Sequence, residues 1–272
     1  MKPIIESLSG HTNEYIRCLA GAHPLRAPLI CAMLDSLSLG GKGLDVGCGI
    51  GLPALEMARK GLDVAGLDSD AQFIEIAEGI AGELNLKNSP VFVQGHAERL
   101  EFENNFFDWV WSMDCVNYDK DLNDPPLSEM KRVAKPGGRL ILSAWSSQML
   151  LPGYPELEAR LNISPEGLAP FEAGMAPLRH FMATAGVLKR MGLKNIRCKT
   201  FLRDIALPLS REEIRAMKDL FYMRWSHSPS GLNPDEKSLY TSLTDPESGR
   251  FILSDSGFYG FFTYTMFTGE VP

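Results

Sequence analysis

The sequence has no run of apolar residues long enough to cross a lipid bilayer. Hydrophobic residues make up 44% of the 272 positions, but no uninterrupted stretch reaches the roughly 18 residues that a spanning helix needs. The first residues, MKPIIESLSGHTNEY, also lack the apolar segment of a secretory signal peptide. These absences predict a soluble protein without membrane insertion, and the apolar content is sufficient for a sizeable core.

Cysteine is scarce and scattered along the chain. The five cysteines never form a CxxC pair: Cys18, Cys31, Cys48, Cys115 and Cys198. An odd number at such spacings indicates neither a disulfide framework nor a zinc site, so no metal is expected. A reducing compartment, the cytoplasm, suits this pattern best.

Positive charge is also in short supply. The chain has 27 Lys and Arg against 34 Asp and Glu, which gives a net charge of −7. Proteins that bind nucleic acid or anionic membranes need clustered Lys and Arg. The charge balance therefore argues against a nucleic-acid partner.

Short β-rich runs alternate with helical stretches from residue 43 to about residue 145. Repeated βα units of this kind predict a parallel sheet covered on both faces. The predicted strands lie near 43–47, 63–67, 90–94, 107–112 and 138–145, and the helices near 52–60, 70–84 and 123–135. A helix at 177–191 and strands at 194–205 and 257–272 are expected after them.

The segments around this core are predicted to cover one edge of the sheet. Helical spacing recurs in the N-terminal segment, Pro and Gly are frequent after Trp145, and helical patterns return after residue 206. We expect a single domain over 1–272, with an N-terminal helical lid (1–40), a core (41–145), two cap insertions (146–177 and 206–256) and a terminal strand (257–272).

A glycine-rich loop, residues 47–51, follows the first predicted strand. Its backbone N–H groups are expected to point toward a ligand at the carboxyl edge of the sheet, where a helix N-terminus favours an anionic group. Asp68 ends the second strand 21 positions after Gly47 (68 − 47). A carboxylate there can accept hydrogen bonds from both hydroxyls of a ribose, so loop and acid together predict a nucleoside site.

The spacing of the glycines does not fit a dinucleotide fingerprint. That pattern needs glycine at position 52, but Leu52 stands there and the third glycine, Gly51, comes one residue early. An NAD-dependent oxidoreductase is therefore disfavoured, although it stays open as an alternative. A loop whose glycines only let helix and strand pack closely is a second alternative.

Several segments resemble the class I S-adenosylmethionine-dependent methyltransferases. LDVGCGIG (44–51) resembles their first motif, an acidic residue followed by x-G-x-G-x-G, and FFDWVWSMD (106–114) resembles their fourth strand. VFVQGHAERLEF (91–102) and SEMKRVAKPGGRLILS (128–143) are similar to the third strand and to the helix, turn and fifth strand. FFTYTMFTGEVP (261–272) is similar to the antiparallel seventh strand. The core is also similar to the ubiquinone and menaquinone biosynthesis methyltransferases.

The resemblance implies an α/β fold: a Rossmann-like, doubly wound, seven-stranded and mostly parallel sheet with an antiparallel last strand and helical cap insertions. It also implies S-adenosyl-L-methionine as cofactor and S-adenosyl-L-homocysteine as product. By this resemblance Asp45 orients the methionine amino group and Asp68 holds the ribose hydroxyls. The backbone of Gly47, Cys48 and Gly49 lies against the methionine portion.

Four further residues are implied at the cofactor. Ser69 borders the adenosine, Ala97 offers its backbone N–H to the adenine edge, and the Met113 carbonyl faces the cofactor. His96 stands where the family commonly carries Asp, and a neutral imidazole can still accept a hydrogen bond from the adenine amine. A solvent-facing His96 at the end of a strand is the alternative.

The candidate acceptor residues are Tyr15, Asp114 and Tyr118. No catalytic residue is assigned, because methyl transfer is an in-line displacement that mainly requires alignment and exclusion of water. A general base is needed only for a protonated acceptor. We expect methylation of an O, N, C or S atom of a small molecule, held in a pocket closed by the caps. A non-catalytic module that binds S-adenosylmethionine or S-adenosylhomocysteine is the alternative.

Overall fold

A computed structural model describes residues 13–116, 125–163, 181–225 and 231–272, together with Leu8 and His11. The strands are β1 (Lys42–Val46), β2 (Asp63–Asp68), β3 (Val91–Gln94), β4 (Phe107–Met113), β5 (Ala134–Met149), β6 (Lys194–Ala206) and β7 (Tyr259–Glu270). The helices are α1 (Glu14–Gly21), α2 (His23–Asp35), α3 (Leu52–Arg59), α4 (Ala71–Leu84), α5 (Pro125–Val133), α6 (Pro155–Asn162), α7 (Thr184–Arg190), α8 (Arg211–Trp225) and α9 (Pro234–Thr244). Two short 3₁₀ turns lie at Phe181–Ala183 and Ile252–Ser254.

In the described part of the chain, seven strands form one sheet in the order β3-β2-β1-β4-β5-β7-β6. Strands β1 to β5 pair in parallel, and β7 runs antiparallel to both β5 and β6. This confirms the predicted fold class. The strand order reverses between β1 and β4, and in such sheets ligands bind beyond the carboxyl ends of the strands at that point.

The central strands are buried on both faces, as parallel strands covered by helices must be. Alternate residues of β4 enter different cores: Trp111 packs in one apolar cluster and Val110 in the other. On β5, Ile141 joins the first cluster while Leu140 joins the second. The strand ends near the glycine loop are thereby fixed in position.

Strand β5 is longer at both ends than the predicted strand 138–145. It begins at Ala134, because the register shifts between Phe107 and Trp109 of β4, so that residues 135–138 lie inside the strand at this irregularity. It continues to Met149, because a second irregularity beyond Trp145 lets the pairing with β7 go on. Residues 146–149, assigned above to a cap, therefore extend the sheet.

Two helices from distant parts of the chain meet above the carboxyl edge. The Arg17 side chain on α1 donates to Asp219 Oδ1 on α8 at 3.0 Å. A Cβ atom on Gly21 would lie 1.9 Å from Asp219 Oδ2, so glycine at this position permits the close approach of the two helices. The division into lid, core and caps stays a prediction, but α1 and α8 both cover the edge where it places them.

The described residues also bear on membrane insertion, disulfides and metals. Among them, no helix has both the length and the apolar character to cross a membrane. The five cysteines are all free. No group of three or more His, Cys, Asp or Glu side chains in these ranges is arranged to hold a metal ion.

Candidate functional site

A cavity of about 440 Å³ opens over the carboxyl ends of β1, β2, β4 and β5, between the glycine loop and helices α1 and α8. Several residues that the sequence assigned to the site line it: Tyr15, Gly47, Cys48, Gly49, Asp68, Met113 and Asp114. The topology thus brings residues from the N-terminal segment and from three strand ends to one cavity.

The amides of the glycine loop are largely used within the protein. Gly47 and Cys48 both donate their N–H groups to the Leu67 carbonyl, at 2.8 and 3.0 Å. The Gly49 N–H donates to Asp68 Oδ2 at 2.8 Å. The expectation that the loop presents its amides to a ligand is therefore wrong for these three residues, because strand β2 takes them as donors. At these residues the loop presents backbone atoms to the cavity, but not free N–H donors.

The three glycines are required for two different reasons. Gly47, Gly49 and Gly51 all have positive φ, at 74°, 54° and 79°, a conformation that glycine adopts without steric cost. A Cβ on Gly47 would lie 2.3 Å from Cys115 Sγ, and one on Gly51 would lie 2.7 Å from the Phe92 ring. A Cβ on Gly49 would meet nothing within 4 Å. Gly49 is therefore the position at which bare backbone faces open space.

Asp45 is fully buried beneath this loop, near the end of β1. Neither of its carboxylate oxygens accepts a hydrogen bond from any residue that the structure describes. Burial, and secondarily the negative charge of Asp68, raises the pKa of Asp45 to about 8. A buried carboxylate without donors is costly, and a cationic partner would offset that cost. The group therefore fits the ammonium of an amino-acid ligand.

Asp68 ends β2 and is held in a fixed orientation at the cavity wall. Its Oδ2 accepts from the Gly49 N–H at 2.8 Å and its Oδ1 from the Asp70 N–H at 3.1 Å. A carboxylate has about four acceptor positions, so two hydrogen bonds leave capacity on both oxygens. Asp68 can therefore accept from two adjacent hydroxyls without losing its own supports.

Three of the residues implied at the adenosine do not line the cavity. Ser69 and His96 are exposed and Ala97 is partly buried. The His96 carbonyl accepts the Arg99 N–H at 3.0 Å, and the two residues form an isolated β-bridge. Tyr118 falls in the gap at 117–124, outside the described residues. The roles of these four residues stay predictions.

Asp114, directly after β4, is the centre of a hydrogen-bonded group on the opposite side of the cavity. Its Oδ2 accepts from Tyr264 Oη at 2.7 Å and from Arg26 Nη2 at 2.9 Å, and its Oδ1 accepts from the Trp145 N–H at 3.0 Å. Arg26 Nε also donates to Tyr264 Oη at 3.1 Å. Asp114 has a positive φ of 55°, an unusual conformation for a residue with a side chain. The carboxylate is thus tightly oriented at the cavity wall.

Arg26 and Tyr264 were missed by the sequence analysis as site residues. Arg26 is 8% exposed and Tyr264 is 1% exposed, yet both contribute to the cavity wall. Burial lowers the pKa of Arg26, but Tyr264 and Asp114 together hold it above its ordinary value. One signal was available, because Arg26 is a lone charge among the apolar residues at 25–34. An arginine at such a position needs a buried partner.

The remaining walls are aromatic or contain sulfur. The ring of Tyr15 stacks on that of Phe73 at 6.4 Å between centroids, and both line the cavity. Cys115 lines it too, but burial and then the charge of Asp68 raise the pKa of its thiol to about 12. A protonated thiol is a poor nucleophile, which agrees with the interpretation of Cys115 as a packing residue.

One segment of the chain matches a family of known proteins. Residues 44–142 match the family described as "Methyltransferase domain". The matched segment is the one whose motifs resemble the class I methyltransferases, and the match confirms that resemblance. The matched segment contains the glycine loop, Asp68 and Asp114, so it includes the strand ends that carry the candidate site.

Individual relatives are similar over part of their length. A sterol 24-C-methyltransferase of Saccharomyces cerevisiae is 38% identical over 103 residues, which are 38% of this chain and 27% of the relative. A norajmaline N-methyltransferase of Rauvolfia serpentina is 28% identical over 116 residues, 42% of this chain and 39% of the relative. The chain thus spans well under half the length of these relatives.

A solved structure is similar over nearly the whole chain. Phosphoethanolamine N-methyltransferase 2 of Haemonchus contortus, in complex with S-adenosyl-L-methionine, has a TM-score of 0.56 at 17% identity. The match covers 99% of this chain and 60% of that one. Likeness at such low identity establishes the shared fold.

Proposed function

We propose that the protein transfers the methyl group of S-adenosyl-L-methionine to a small-molecule acceptor held in this cavity. The observation that carries the proposal is the juxtaposition at the carboxyl edge: Gly49 open to the cavity, Asp68 beside it and the donorless Asp45 beneath. When bound, the cofactor supplies an electrophilic methyl group on sulfur and leaves as S-adenosyl-L-homocysteine. The methyltransferase-domain match over 44–142 supports the same reaction.

Each of these residues has a distinct part in holding the cofactor. Asp45 pairs with the amino group of its amino-acid portion, directly or through water, while Asp68 accepts from the two ribose hydroxyls. The backbone of Gly47, Cys48 and Gly49 lies along the amino-acid portion, and the Met113 carbonyl faces it. Ser69, His96 and Ala97 border the adenosine. These assignments agree with the charges of the side chains. Asp45 is a carboxylate placed at the cationic amino group, and Asp68 is a carboxylate placed at the hydroxyl donors.

The rest of the cavity orients the acceptor and excludes water. Helices α1 and α8 close the space, which protects the reacting groups from solvent. Asp114, fixed by Tyr264 and Arg26, would orient the acceptor by accepting a hydrogen bond from it. Tyr15 contacts the acceptor from the lid. No residue is assigned as a catalytic base.

A small molecule is the favoured acceptor class. A cavity of about 440 Å³ lies in the range of small-molecule sites, roughly 300–1,000 Å³. The net charge of −7 is unfavourable for nucleic acid. Five free cysteines support a cytoplasmic location, where thiols stay reduced. The two relatives named above are a sterol and an alkaloid methyltransferase, which agrees with this class.

The proposal is tested by calorimetric titration of the wild-type protein with S-adenosylmethionine, S-adenosylhomocysteine and NAD⁺. Asp68→Asn should weaken the binding of the two adenosyl ligands by roughly 1–2 kcal/mol, because it removes charge-assisted hydrogen bonds. Asp70→Asn is the matched control: Asp70 caps α4 and does not line the cavity, and asparagine is an equally good cap. Its affinity should equal that of the wild type.

Activity is then measured as S-adenosylhomocysteine release over a panel of hydroxyl, amine, thiol and activated-carbon acceptors. Release with any of them supports the proposal. Binding without release from any acceptor would favour the non-catalytic binding module. Preference for NAD⁺, or an Asp68→Asn protein that binds as well as the wild type, would contradict the proposed site.

A further inference from the structure

We propose that the protein has a second ligand site, a basic groove that binds a phosphate group at the edge of the sheet opposite the cofactor cavity. The groove encloses about 540 Å³ on the face of β5, β7 and β6 next to the end of α2. Three cationic side chains line it, Arg139, Arg197 and Lys199, together with one carboxylate, Glu270. Its described wall therefore carries a net charge of +2 (3 − 1), whereas the whole chain carries −7. The proposed methyl transfer uses none of these residues.

Strand pairing places the three cations on one face of the sheet. Arg139 on β5 stands opposite Glu270 on β7, and Arg197 on β6 stands opposite Thr268 on β7. Thr268 and Glu270 are two residues apart on one strand, so they share a face, and their cross-strand partners share it with them. Lys199 is two residues beyond Arg197 and joins the same face. The cations thus form one cluster on a rigid sheet.

The two guanidinium groups keep their N–H donors available. Among the described residues, neither Arg139 nor Arg197 forms a side-chain hydrogen bond or an ion pair. Glu270 stands opposite Arg139, but its Oε2 accepts from Asn195 Nδ2 at 2.8 Å instead. Elsewhere on the surface, by contrast, Arg160 pairs with two carboxylates. Unpaired guanidinium groups at one cavity wall are suited to bind an anion, since their planar N–H groups match phosphate oxygens.

A bulge in β6 shapes the basic groove. The register with β7 shifts between Lys194 and Arg197, and Asn195 has a positive φ of 51°. A bulge of this kind adds residues to one strand and bends it. The Asn195 side chain holds the Glu270 carboxylate, while Arg197 resumes the pairing beside Thr268. The irregularity therefore draws the carboxylate to an amide and leaves the arginines to a ligand.

The end of α2 forms the remaining wall through Ser36 and Leu37. A helix C-terminus disfavours an anion, because its last carbonyls carry partial negative charge. Here Ser36 Oγ donates to the Met33 carbonyl at 2.7 Å, and the Leu37 N–H donates to the Leu34 carbonyl at 3.0 Å. These hydrogen bonds reduce the penalty, so the three cations determine the charge preference of the groove.

A phosphate group fits this wall better than a carboxylate. A phosphate monoester carries about −1.5 to −2 charges at pH 7, close to the opposite of the net charge of the wall. Two arginines can each bind two of its oxygens, and Lys199 adds a compact positive charge. Thr268 adds a hydroxyl group. The groove is also large enough for a small phosphorylated molecule.

The first experiment titrates the wild-type protein with inorganic phosphate, pyrophosphate and acetate, and sediments it with phosphatidylcholine vesicles that contain or lack phosphatidate. The free anions and the vesicles distinguish a soluble phosphate compound from a lipid headgroup. Phosphate or pyrophosphate should bind about tenfold or more tightly than acetate, or sedimentation should require phosphatidate. Acetate binding as tightly as both free phosphates, without any dependence on phosphatidate, would overturn the proposal, and so would no binding of any phosphate probe.

Variants then locate the site. Arg139→Gln and Arg197→Gln should each weaken binding of the phosphate probe about tenfold, while Arg215→Gln, at an exposed arginine on α8, should leave it unchanged. Glu270→Gln should tighten binding roughly threefold, because it removes the negative charge of the described wall and can still accept from Asn195. An equal loss in Arg215→Gln, or no response to the three groove substitutions, would contradict the site. Thermal unfolding checks each fold, and Glu270→Gln decides if the arginine variants do not fold.

Discussion

The buried Asp45 should make the stability of the ligand-free protein depend on pH. Burial, with a further contribution from Asp68, raises its pKa to about 8 in the folded state, whereas an unfolded chain titrates Asp near its ordinary value of about 3.9. A group whose pKa is raised by folding contributes stability below the unfolded value and loses it as pH rises through the folded value. Stability from this residue is therefore complete below about pH 4 and falls until about pH 8.

The magnitude follows from proton linkage. In this window the folded state holds one proton more than the unfolded state, so each pH unit costs about 1.4 kcal/mol at most. Between about pH 5 and about pH 7 the loss should be roughly 2–3 kcal/mol. Asp45→Asn has nearly the same shape and also leaves a buried polar group without partners, but it does not ionise. The variant should therefore gain stability over the wild type as pH rises.

Urea unfolding of the wild type and of Asp45→Asn at several pH values between about 5 and about 8 tests this, without cofactor. Asp70→Asn is the control, because Asp70 is exposed and should shift stability equally at every pH. A constant difference between wild type and Asp45→Asn across the range would refute the reasoning. Saturating S-adenosylmethionine should flatten the pH dependence of the wild type if its ammonium pairs with Asp45.

Two further substitutions test the geometry around the loop and at Asp114. Gly47→Ala should lose roughly 1–3 kcal/mol more stability than Gly49→Ala in urea unfolding, because both have positive φ but only Gly47 would clash with Cys115; equal losses would contradict the contact. Tyr264→Phe should cost roughly 1–3 kcal/mol, because it removes one hydrogen bond from the buried Arg26 guanidinium and one from the Asp114 carboxylate. Tyr259→Phe, at an exposed residue of the same strand, should change stability little, and an equal effect of the two changes would contradict this account.

The parts of the fold that depend on local pattern were predictable from the sequence. Alternating apolar runs located the parallel strands, and the distance from Gly47 to Asp68 located the two ends of the candidate site. Both signals arise within one βαβ unit of fewer than 30 residues. The close packing of the loop against Cys115, which follows the fourth strand, depends on the tertiary fold. No local sequence pattern predicts this contact.

The parts that depend on distant pairing were not predictable. The loop amides were expected to face a ligand, but the Leu67 carbonyl of the neighbouring strand accepts two of them. Arg26 lies 88 positions from Asp114 and 238 from Tyr264, and no periodicity connects them. Such contacts appear only when the strand order is known, because β7 inserts beside β5 rather than at the edge.

The interior place of β7 makes one side of the candidate site depend on a strand far from the glycine loop in the sequence. Tyr264 belongs to that strand, which lies between β5 and β6, and it supplies one of the donors that keep Asp114 in its left-handed conformation. Without residues 259–270, Arg26 and Asp114 would lose Tyr264 as a hydrogen-bond partner, and the cavity would lack that part of its wall. Damage to this strand would therefore disturb the side of the cavity around Asp114, while the glycine loop and Asp68, which follow and end β1 and β2, would keep their mutual contacts.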